Sequence, residues 1–163
     1  MKTLTTLLLI VPALAMAQEE SIPVSKLPPE IRSAVAARYP TARMTGAAKE
    51  TEDGKTFFEV TIKLNGKNID VTAMQSGELT LIEREMSRKD LPAAVLKLLD
   101  EKYPKAKFHL VEDVSTVSGA GATLSYYEVQ LTDANKQLLE VQVAVDGSKI
   151  LKEEKKKAGD PDD

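Results

Sequence analysis

The chain repeats one sequence pattern, and this duplication constrains its fold more strongly than any other feature. The offset is 64 residues for two proline-containing motifs, 69 for an aromatic-Glu-Val motif and 70 for a turn glycine. The matched segments are Leu27-Pro28, Tyr39-Pro40, Phe58-Glu59-Val60 and Gly77, repeated as Leu91-Pro92, Tyr103-Pro104, Tyr127-Glu128-Val129 and Gly147. An internal repeat of this length indicates one structural unit used twice.

Each unit is predicted to begin with a short amphipathic helix. Apolar side chains recur at every fourth position, which places them on one helical face. Proline is compatible with the opening turn, and the Tyr-Pro pairs end the helices because the residue before a proline avoids the α conformation. The two stripes are Leu27, Ile31, Val35 and Tyr39, and then Leu91, Val95, Leu99 and Tyr103.

Alternating apolar and polar residues then predict antiparallel strands. The first-unit strands are expected at residues 42–49, 57–64, 69–74 and 79–85, with turns at Asp53-Gly54, Asn65-Gly66 and Ser76-Gly77. The second unit copies this plan around the Tyr127-Glu128-Val129 motif, with later strands at residues 139–145 and 149–153. Its extra residues, 115–122, are Ser-, Gly- and Ala-rich and are expected to form a flexible hairpin tip.

These elements predict an α+β fold, a tandem repeat of one helix and about four antiparallel strands per unit. One unit alone would be barely stable, and no Gly- or Ser-rich linker separates the two. We therefore expect one continuous antiparallel sheet with both helices on one face. The expected organisation is a lead at residues 18–26, repeat 1 at 27–86, repeat 2 at 91–154 and a disordered polar tail at 155–163.

Residues 1–17 have the pattern of a Sec-type signal peptide. Lys2 supplies a basic start, residues 4–14 are mostly apolar, and Ala15-Met16-Ala17 offers small residues to a signal peptidase. The apolar run is shorter than the roughly 20 residues that span a bilayer. We therefore expect cleavage after Ala17 and a periplasmic or secreted protein with no membrane anchor after cleavage.

The composition excludes several function classes. The formal net charge of −3 argues against nucleic acid as a partner, because that partner requires a basic surface. The chain has no Cys, which excludes thiol catalysis, Cys-ligated zinc and haem attachment through Cys. A secreted domain without disulfides depends on its hydrophobic core, and this favours a bacterial periplasm over a eukaryotic extracellular space.

The combined motifs resemble the PepSY-like, β-lactamase-inhibitor-like (BLIP-like) family of bacterial periplasmic proteins. They are a signal peptide, Leu-Pro-x-x-[Ile/Val] opening a helix, Tyr-Pro closing it, [Tyr/Phe]-Glu-Val opening a strand, and a Ser-Gly or Asp-Gly turn near the end. They cover residues 27–154, nearly all of the expected mature chain.

The resemblance implies a helix packed on an antiparallel sheet in each repeat. In better-understood relatives, the open concave sheet face grips a protein partner, and related PepSY domains are associated with restraining proteases or sensing the envelope. The Cys residues that staple secreted β-lactamase inhibitors are missing here, which argues against inhibition of a β-lactamase itself. Most of the family resembles non-enzymatic modules.

The sequence offers few residues for catalysis or for a metal. His109 is the only histidine, no Gly-x-Ser-x-Gly motif is present, and a surface histidine is the expected role. Acidic residues cluster at two predicted turns, Glu50-Thr51-Glu52-Asp53 and Glu112-Asp113, without the spacing of a Ca²⁺ loop. We therefore predict no catalytic residues, no metal site and no cofactor.

The sheet face that points away from the helices is the predicted partner-binding surface. Phe57 and Glu59 lie on it in the first unit, and Tyr126 and Glu128 occupy the matching positions in the second. The alternative is that these residues are ordinary strand formers. We expect a non-enzymatic module that holds an envelope protein or peptide on this face, as an inhibitor or regulator. A ligand- or ion-sensing envelope stress module, acting through the acidic turns, is the second hypothesis.

Overall fold

The structure is a computed structural model that describes residues 18–52 and 54–156. The predicted signal peptide at residues 1–17 lies outside these residues, as does the predicted tail beyond Lys156. Within the described ranges, no helix has both the length and the apolar character needed to cross a membrane.

In this part of the chain, two helices pack on a nine-stranded antiparallel sheet. The helices are α1 (Pro29–Arg38) and α2 (Ala93–Lys102), each preceded by a short 3₁₀ turn, Val24–Lys26 or Arg88–Asp90. The strands lie side by side in chain order and are β1 (Gln18–Ser21), β2 (Arg43–Glu52), β3 (Lys55–Leu64), β4 (Lys67–Met74), β5 (Leu79–Glu85), β6 (Lys107–Ser118), β7 (Gly121–Thr132), β8 (Leu138–Ala144) and β9 (Ile150–Lys155).

The single sheet confirms the predicted merger of the two units, and both helices lie on the same face. Directly paired residues on neighbouring strands point to one side of a sheet. Val60, Val71 and Ile82 pair in succession across the first unit. Arg84, two residues beyond Ile82, pairs with Asp113, which pairs with Tyr127. Val60 packs in the core with α1 and Tyr127 in the core with α2.

The predicted apolar stripes are the parts of the helices that contact the sheet. Ile31 and Val35 of α1, and Val95 and Leu99 of α2, are fully or almost fully buried. Leu27 and Leu91 precede the helices and are buried as well. A helix of about ten residues is marginal alone, so this contact with the sheet stabilises it.

Strand β1 lies in the segment expected to be only a lead. It extends the sheet beyond β2, from Gln18 paired with Thr51 to Ser21 paired with Ala48. Its sequence, Gln-Glu-Glu-Ser, has no apolar residue and therefore no alternation from which a strand could be predicted.

The expected flexible tip at residues 115–122 is wrong, because most of it is paired strand. Strands β6 and β7 pair as far as Ser118 and Gly121, which leaves only Gly119 and Ala120 between them. The extension contacts the first unit: Val117 packs against its core, and Arg38 Nη1 donates a hydrogen bond to the Ala120 carbonyl at 3.2 Å. The additional residues therefore join the two units.

The boundary of the predicted tail is also corrected. Strand β9 continues to Lys155, and the Lys156 backbone N–H donates to the Leu138 carbonyl at 3.1 Å. Backbone pairing with β8 stabilises this strand, although residues 151–155 are exposed. Composition alone indicated disorder because the strand has almost no buried apolar face.

The contacts of Gly77 and Gly147 explain why glycine recurs at this turn in both units. Both have positive φ, +88° and +69°. A Cβ on Gly77 would lie 3.0 Å from the Glu30 carbonyl oxygen, and one on Gly147 would lie 2.6 Å from the Ala94 carbonyl carbon. The β4–β5 turn therefore packs directly on the first turn of α1, and the β8–β9 turn packs on the first turn of α2. Only glycine permits so close an approach.

We predict that Gly147→Ala destabilises the protein much more than Gly66→Ala. Both glycines have positive φ, which costs a non-glycine residue about 1–2 kcal/mol. Only Gly147 would also bring its Cβ against a helix backbone, and such overpacking adds about 1–3 kcal/mol, whereas nothing lies within 4 Å of a Cβ on Gly66. Urea unfolding of both variants measures the difference, and equal losses would contradict the packing role.

Candidate functional site

The sheet face opposite the helices is concave. A cavity of about 480 Å³ lies against it and is lined from β1 through β7. The lining residues are Ser21, Gly46, Ala47, Ala48, Glu59, Thr61, Asn68, Asp70, Glu83, Glu85, Leu110, Glu112, Glu128 and Gln130.

Repeated irregularities in strand pairing accompany this curvature. The pairing skips Thr45 between Met44 and Gly46 of β2, and it skips His109, 64 residues later, between Phe108 and Leu110 of β6. Such bulges bend a strand and increase its twist. Because they occupy equivalent positions in the two units, both halves of the sheet bend at the same place.

The cavity is strongly acidic. Its lining includes six carboxylates, and none of the described lining residues is Lys, Arg or His. A basic side chain lies beyond the cavity, at the β8–β9 side of the sheet, where Lys156 Nζ is 3.1 Å from Glu140 Oε2. A concave wall that carries one sign of charge concentrates the electric field and attracts cations.

Three of the carboxylates form a compact group. Carboxylate oxygens of Glu83, Glu112 and Glu128 lie within 4.8 Å of one another. Glu112 and Glu128 are direct cross-strand partners in β6 and β7, and Glu83 comes from β5, the last strand of the first unit. Like charges placed directly opposite each other on a sheet are destabilising, so their proximity is unfavourable unless something neutralises them.

Burial and the surrounding acids raise the pKa of Glu83 to about 9. The desolvation penalty is the largest cause, and the charges of Glu128, Glu112, Glu59 and Asp70 add to it. At neutral pH this side chain is therefore protonated.

The pKa of Glu128 is raised to about 7 by burial and then by the charge of Glu140. A hydrogen bond from Gln142 Nε2, at 2.9 Å, and the charges of Lys156 and Lys152 oppose this shift. The carboxylate is thus close to half ionised near neutral pH.

Of the four residues of the predicted partner-binding surface, only the two glutamates line the cavity. Glu59 and Glu128 line the cavity, on the face opposite the helices as predicted. Tyr126 lies on the same face, paired with Val114 and Ala144, and its pKa is raised by burial and by Glu128. Phe57, next to the buried Phe58, points to this face as well and pairs with Glu50 and Met74. Neither Phe57 nor Tyr126 is among the residues that line the cavity.

The predicted acidic turn at Glu112-Asp113 is wrong. Both residues lie within β6 and point to opposite faces of the sheet. Glu112 lines the concave face, whereas Asp113 Oδ1 accepts a hydrogen bond from Arg84 Nη1 at 2.8 Å on the helix side. In the other predicted cluster, Glu50 lies in β2, and Asp53 is outside the described residues.

His109 lies on the surface, as predicted. It is exposed at the β6 bulge, and its Nε2 is 2.7 Å from Thr132 Oγ1. It is not among the residues that line the cavity.

Sequence reasoning missed Glu83, Asp70, Glu85 and Gln130 as site residues. Alternation along β4, β5 and β7 assigns each of them to the face opposite the helices, so their orientation could have been predicted from the sequence. Their proximity to Glu112 and Glu128 was not, because it depends on the pairing register of β5 with β6.

The fold and site define a class of protein: a duplicated helix-and-sheet unit with one shared acidic concavity. The family model described as "Putative beta-lactamase-inhibitor-like, PepSY-like" matches residues 15–81 and again residues 64–152. The chain belongs to this family, which confirms the resemblance drawn from its motifs. A search of curated proteins gave no match.

Solved structures from Bacteroides share the fold. A DUF2874 family protein from Bacteroides uniformis is 18% identical, with a TM-score of 0.61, and the alignment covers 78% of this chain and 88% of that one. A BLIP-like protein from Bacteroides fragilis is 19% identical, with a TM-score of 0.57 and coverage of 81% and 88%. A structure from Bacteroides eggerthii described as "putative periplasmic proteins" is 18% identical, with a TM-score of 0.62 and coverage of 78% and 88%.

We predict that the protein loses stability as the pH rises from about 5 to 9. Glu83 is an acid with a higher pKa in the folded than in the unfolded chain, so the folded state holds an extra proton between the unfolded value near 4.5 and about 9. The free energy of unfolding therefore falls through that range. Urea unfolding across the pH range measures the slope.

Glu83→Gln should flatten this slope and raise stability at the alkaline end, because it removes the acid while retaining its shape. Glu78→Gln is the control, since Glu78 is exposed and precedes β5 outside the cavity. An unchanged slope in Glu83→Gln would contradict the assignment of the proton to Glu83.

Proposed function

We propose that this protein is a non-catalytic module of the bacterial envelope that binds a basic segment of a partner protein or peptide in its acidic concave face. The observation that carries the proposal is the cavity of about 480 Å³ that is lined by six carboxylates and, among described lining residues, by no basic side chain. A partner with Lys or Arg side chains would supply the missing positive charges.

The shape of the face also supports a peptide or protein segment. Strands β1 to β7 all contribute to the wall, so an extended segment could contact several strands at once. Apolar surface is interspersed with the acids: Leu110 and Ala48 line the cavity, and Tyr126 lies beside it. An aromatic and aliphatic surface among charges is typical of protein interfaces.

The envelope location is proposed from two independent supports. The first 17 residues have the features of a secretory signal peptide. The similar chain from Bacteroides eggerthii carries the description "putative periplasmic proteins". The family description is inhibitor-like, which fits a module that acts by occupying a partner.

A binding role suits the chemistry of the site better than catalysis. The only histidine lies away from the cavity, hydrogen-bonded to Thr132. The part-buried carboxylates of the cavity surround one another, which favours cation capture over the paired nucleophile and base of a hydrolase.

Charge recognition predicts that the protein binds a fluorescein-labelled oligolysine peptide, with an affinity that falls as salt is added. The combined variant Glu59→Gln, Glu85→Gln and Glu128→Gln should weaken binding about tenfold, because three charge pairs of about 0.5 kcal/mol each sum to about 1.5 kcal/mol, and 1.4 kcal/mol is a factor of ten. Fluorescence anisotropy measures the affinity.

The matched control removes three charges elsewhere. Glu30, Glu78 and Glu101 are exposed and lie outside the cavity, so replacing them by Gln should leave the affinity nearly unchanged. Equal weakening in both triple variants would show that binding follows net charge only, and would overturn the assignment to the concave face.

We expect Tyr126→Ala to weaken capture of a partner more than Phe57→Ala. Neither ring lines the cavity, but only Tyr126 interacts electrostatically with its acids Glu128 and Glu83. The double variant should lose the most while remaining folded. Crosslinking in cells followed by mass spectrometry measures capture, and circular dichroism verifies folding. Retention of the same partners by the folded double variant would exclude these aromatic residues from the interface.

A further inference from the structure

An apolar band crosses the concave face beside the acidic cavity. Phe57 of β3 pairs directly with Met74 of β4, and Val114 of β6 pairs directly with Tyr126 of β7. Leu81 of β5 is the diagonal neighbour of both Met74 and Val114. Direct and diagonal neighbours on one face of a sheet are within reach of each other, so these five residues form a continuous band from β3 to β7.

This apolar band is separate from the core under the helices. Val114 is fully buried, and its cross-strand partner Glu83 lines the cavity, so Val114 points to the concave face. The other four residues of the band are half-buried. In the part of the chain that the structure describes, none of the five packs in either of the two helix-side cores. An apolar surface bordered by polar residues is typical of a place that another molecule covers.

The apolar band runs parallel to the acids. Three of its residues each precede a cavity-lining glutamate by two positions, on strands that run in the same direction: Phe57 before Glu59, Leu81 before Glu83, and Tyr126 before Glu128. Residues two apart on a strand share one face and lie about 7 Å from each other. An apolar row and an acidic row therefore cross the sheet side by side.

We propose that the segment held on the concave face is an amphipathic α-helix, whose apolar stripe lies on the apolar band and whose adjoining basic stripe faces the acids of the cavity. This inference rests on the proposed function and specifies the conformation and the side-chain pattern of the bound segment. A helix presents such adjoining stripes because residues three and four apart lie on one side of it.

The dimensions of the apolar band fit a helix of about 15 residues. From Phe57 to Tyr126 the band crosses about four strand spacings of about 4.8 Å and shifts by about two rows of side chains, which gives a length of about 23 Å. At about 1.5 Å per residue, about four helical turns span this distance. A helix with its side chains is about 10–12 Å wide, so it contacts two rows that lie about 7 Å apart.

Backbone hydrogen bonding favours a helix over an extended segment at this place. Strands β3 to β7 are interior strands whose backbone groups pair with their neighbours, so the face offers side chains to a partner. A helix pairs its own N–H and C=O groups, whereas an extended segment lying on the face would leave them without partners from the protein. An extended segment also turns alternate side chains to opposite sides, which matches one row and not two.

Charge fixes how the helix is rotated about its axis. All six carboxylates of the cavity belong to the acidic wall beside the apolar band, and no described lining residue is basic. Lys or Arg on one flank of the apolar stripe therefore meets opposite charge, and charge complementarity of this kind sets the register of a complex. Burial of apolar surface on the band adds to the affinity.

Two synthetic peptides of about 15 residues, with identical Leu and Lys content, test the inference by fluorescence anisotropy with the purified protein. In the first peptide, Leu recurs every third or fourth position, which gives a helix with an apolar and a basic side. In the second, Leu and Lys alternate, which favours an extended strand. Oligolysine with the same number of Lys residues is the reference ligand.

We expect the helical peptide to bind about tenfold or more tightly than its alternating isomer and than oligolysine, because removing one Leu side chain from water supplies a factor of that size. Circular dichroism should show a gain of helix on binding. Equal or tighter binding of the alternating isomer would overturn the helix, while binding of oligolysine would leave the proposed function standing. If none of the three ligands binds, the proposed function fails as well.

Two variants place the helix on the apolar band. Leu81→Gln and Met74→Gln retain the side-chain length and remove the apolar surface, so each should lower the affinity for the helical peptide several-fold more than that for oligolysine. Circular dichroism verifies that each variant is folded, and the second variant keeps the test valid if the first is not. Undiminished preference for the helical peptide in a folded variant would exclude the band from the interface.

Leu151→Gln is the matched control, because Leu151 is 46% exposed on β9 and lies outside both the cavity and the apolar band. It should leave the preference for the helical peptide unchanged. An equal loss of preference in Leu151→Gln and Leu81→Gln would assign the effect to general surface hydrophobicity and overturn the proposed site.

Discussion

The antiparallel pairing of β5 with β6 is the interaction on which the rest of the structure depends. It joins the two units from Leu81 paired with Thr116 to Glu85 paired with Glu112. On the helix side, Arg84 Nη1 donates to Asp113 Oδ1 at 2.8 Å and to Ser115 Oγ at 3.2 Å across the same junction. Because of this pairing, both helices share one face and the other face is a continuous concave wall.

The same junction creates the candidate site, which belongs to neither unit alone. Glu83 comes from the first unit, and Glu112 and Glu128 come from the second. On β5, the neighbour of Glu83 is Ile82, which is fully buried in the core under α1. Burial of apolar side chains on the helix side therefore fixes the register, and the register holds the carboxylates together against their repulsion.

Much of this fold could be predicted because its signals are local. A four-residue spacing places Ile31 and Val35 on one helix face, and alternation assigns Phe58 and Val60 to the core and Glu59 to the opposite side. The bounds of β5 agree with the prediction at both ends. Motif order alone was sufficient to identify the family.

The parts that sequence could not supply are those set by tertiary pairing. β1 and the end of β9 are polar strands held by backbone hydrogen bonds to a neighbour, and neither has a hydrophobic pattern. The extension at residues 115–122 is ordered because it has a partner strand and contacts α1. The acidic group required knowledge of which strands meet where the units join, and pairing irregularities such as the one that skips Ser125 shift that register.

The two outermost strands of the described sheet have a consequence for its contacts with other molecules. An open sheet of this length presents unpaired backbone N–H and C=O groups at both ends, and such groups invite strands from other molecules. Here the chain ends its sheet with Gln-Glu-Glu-Ser on one side and with Lys-Glu-Glu-Lys after Ile150 and Leu151 on the other. Short, charged edges oppose edge-to-edge pairing with strands of other molecules, so the large sheet that forms the concave face does not offer an apolar edge for such pairing.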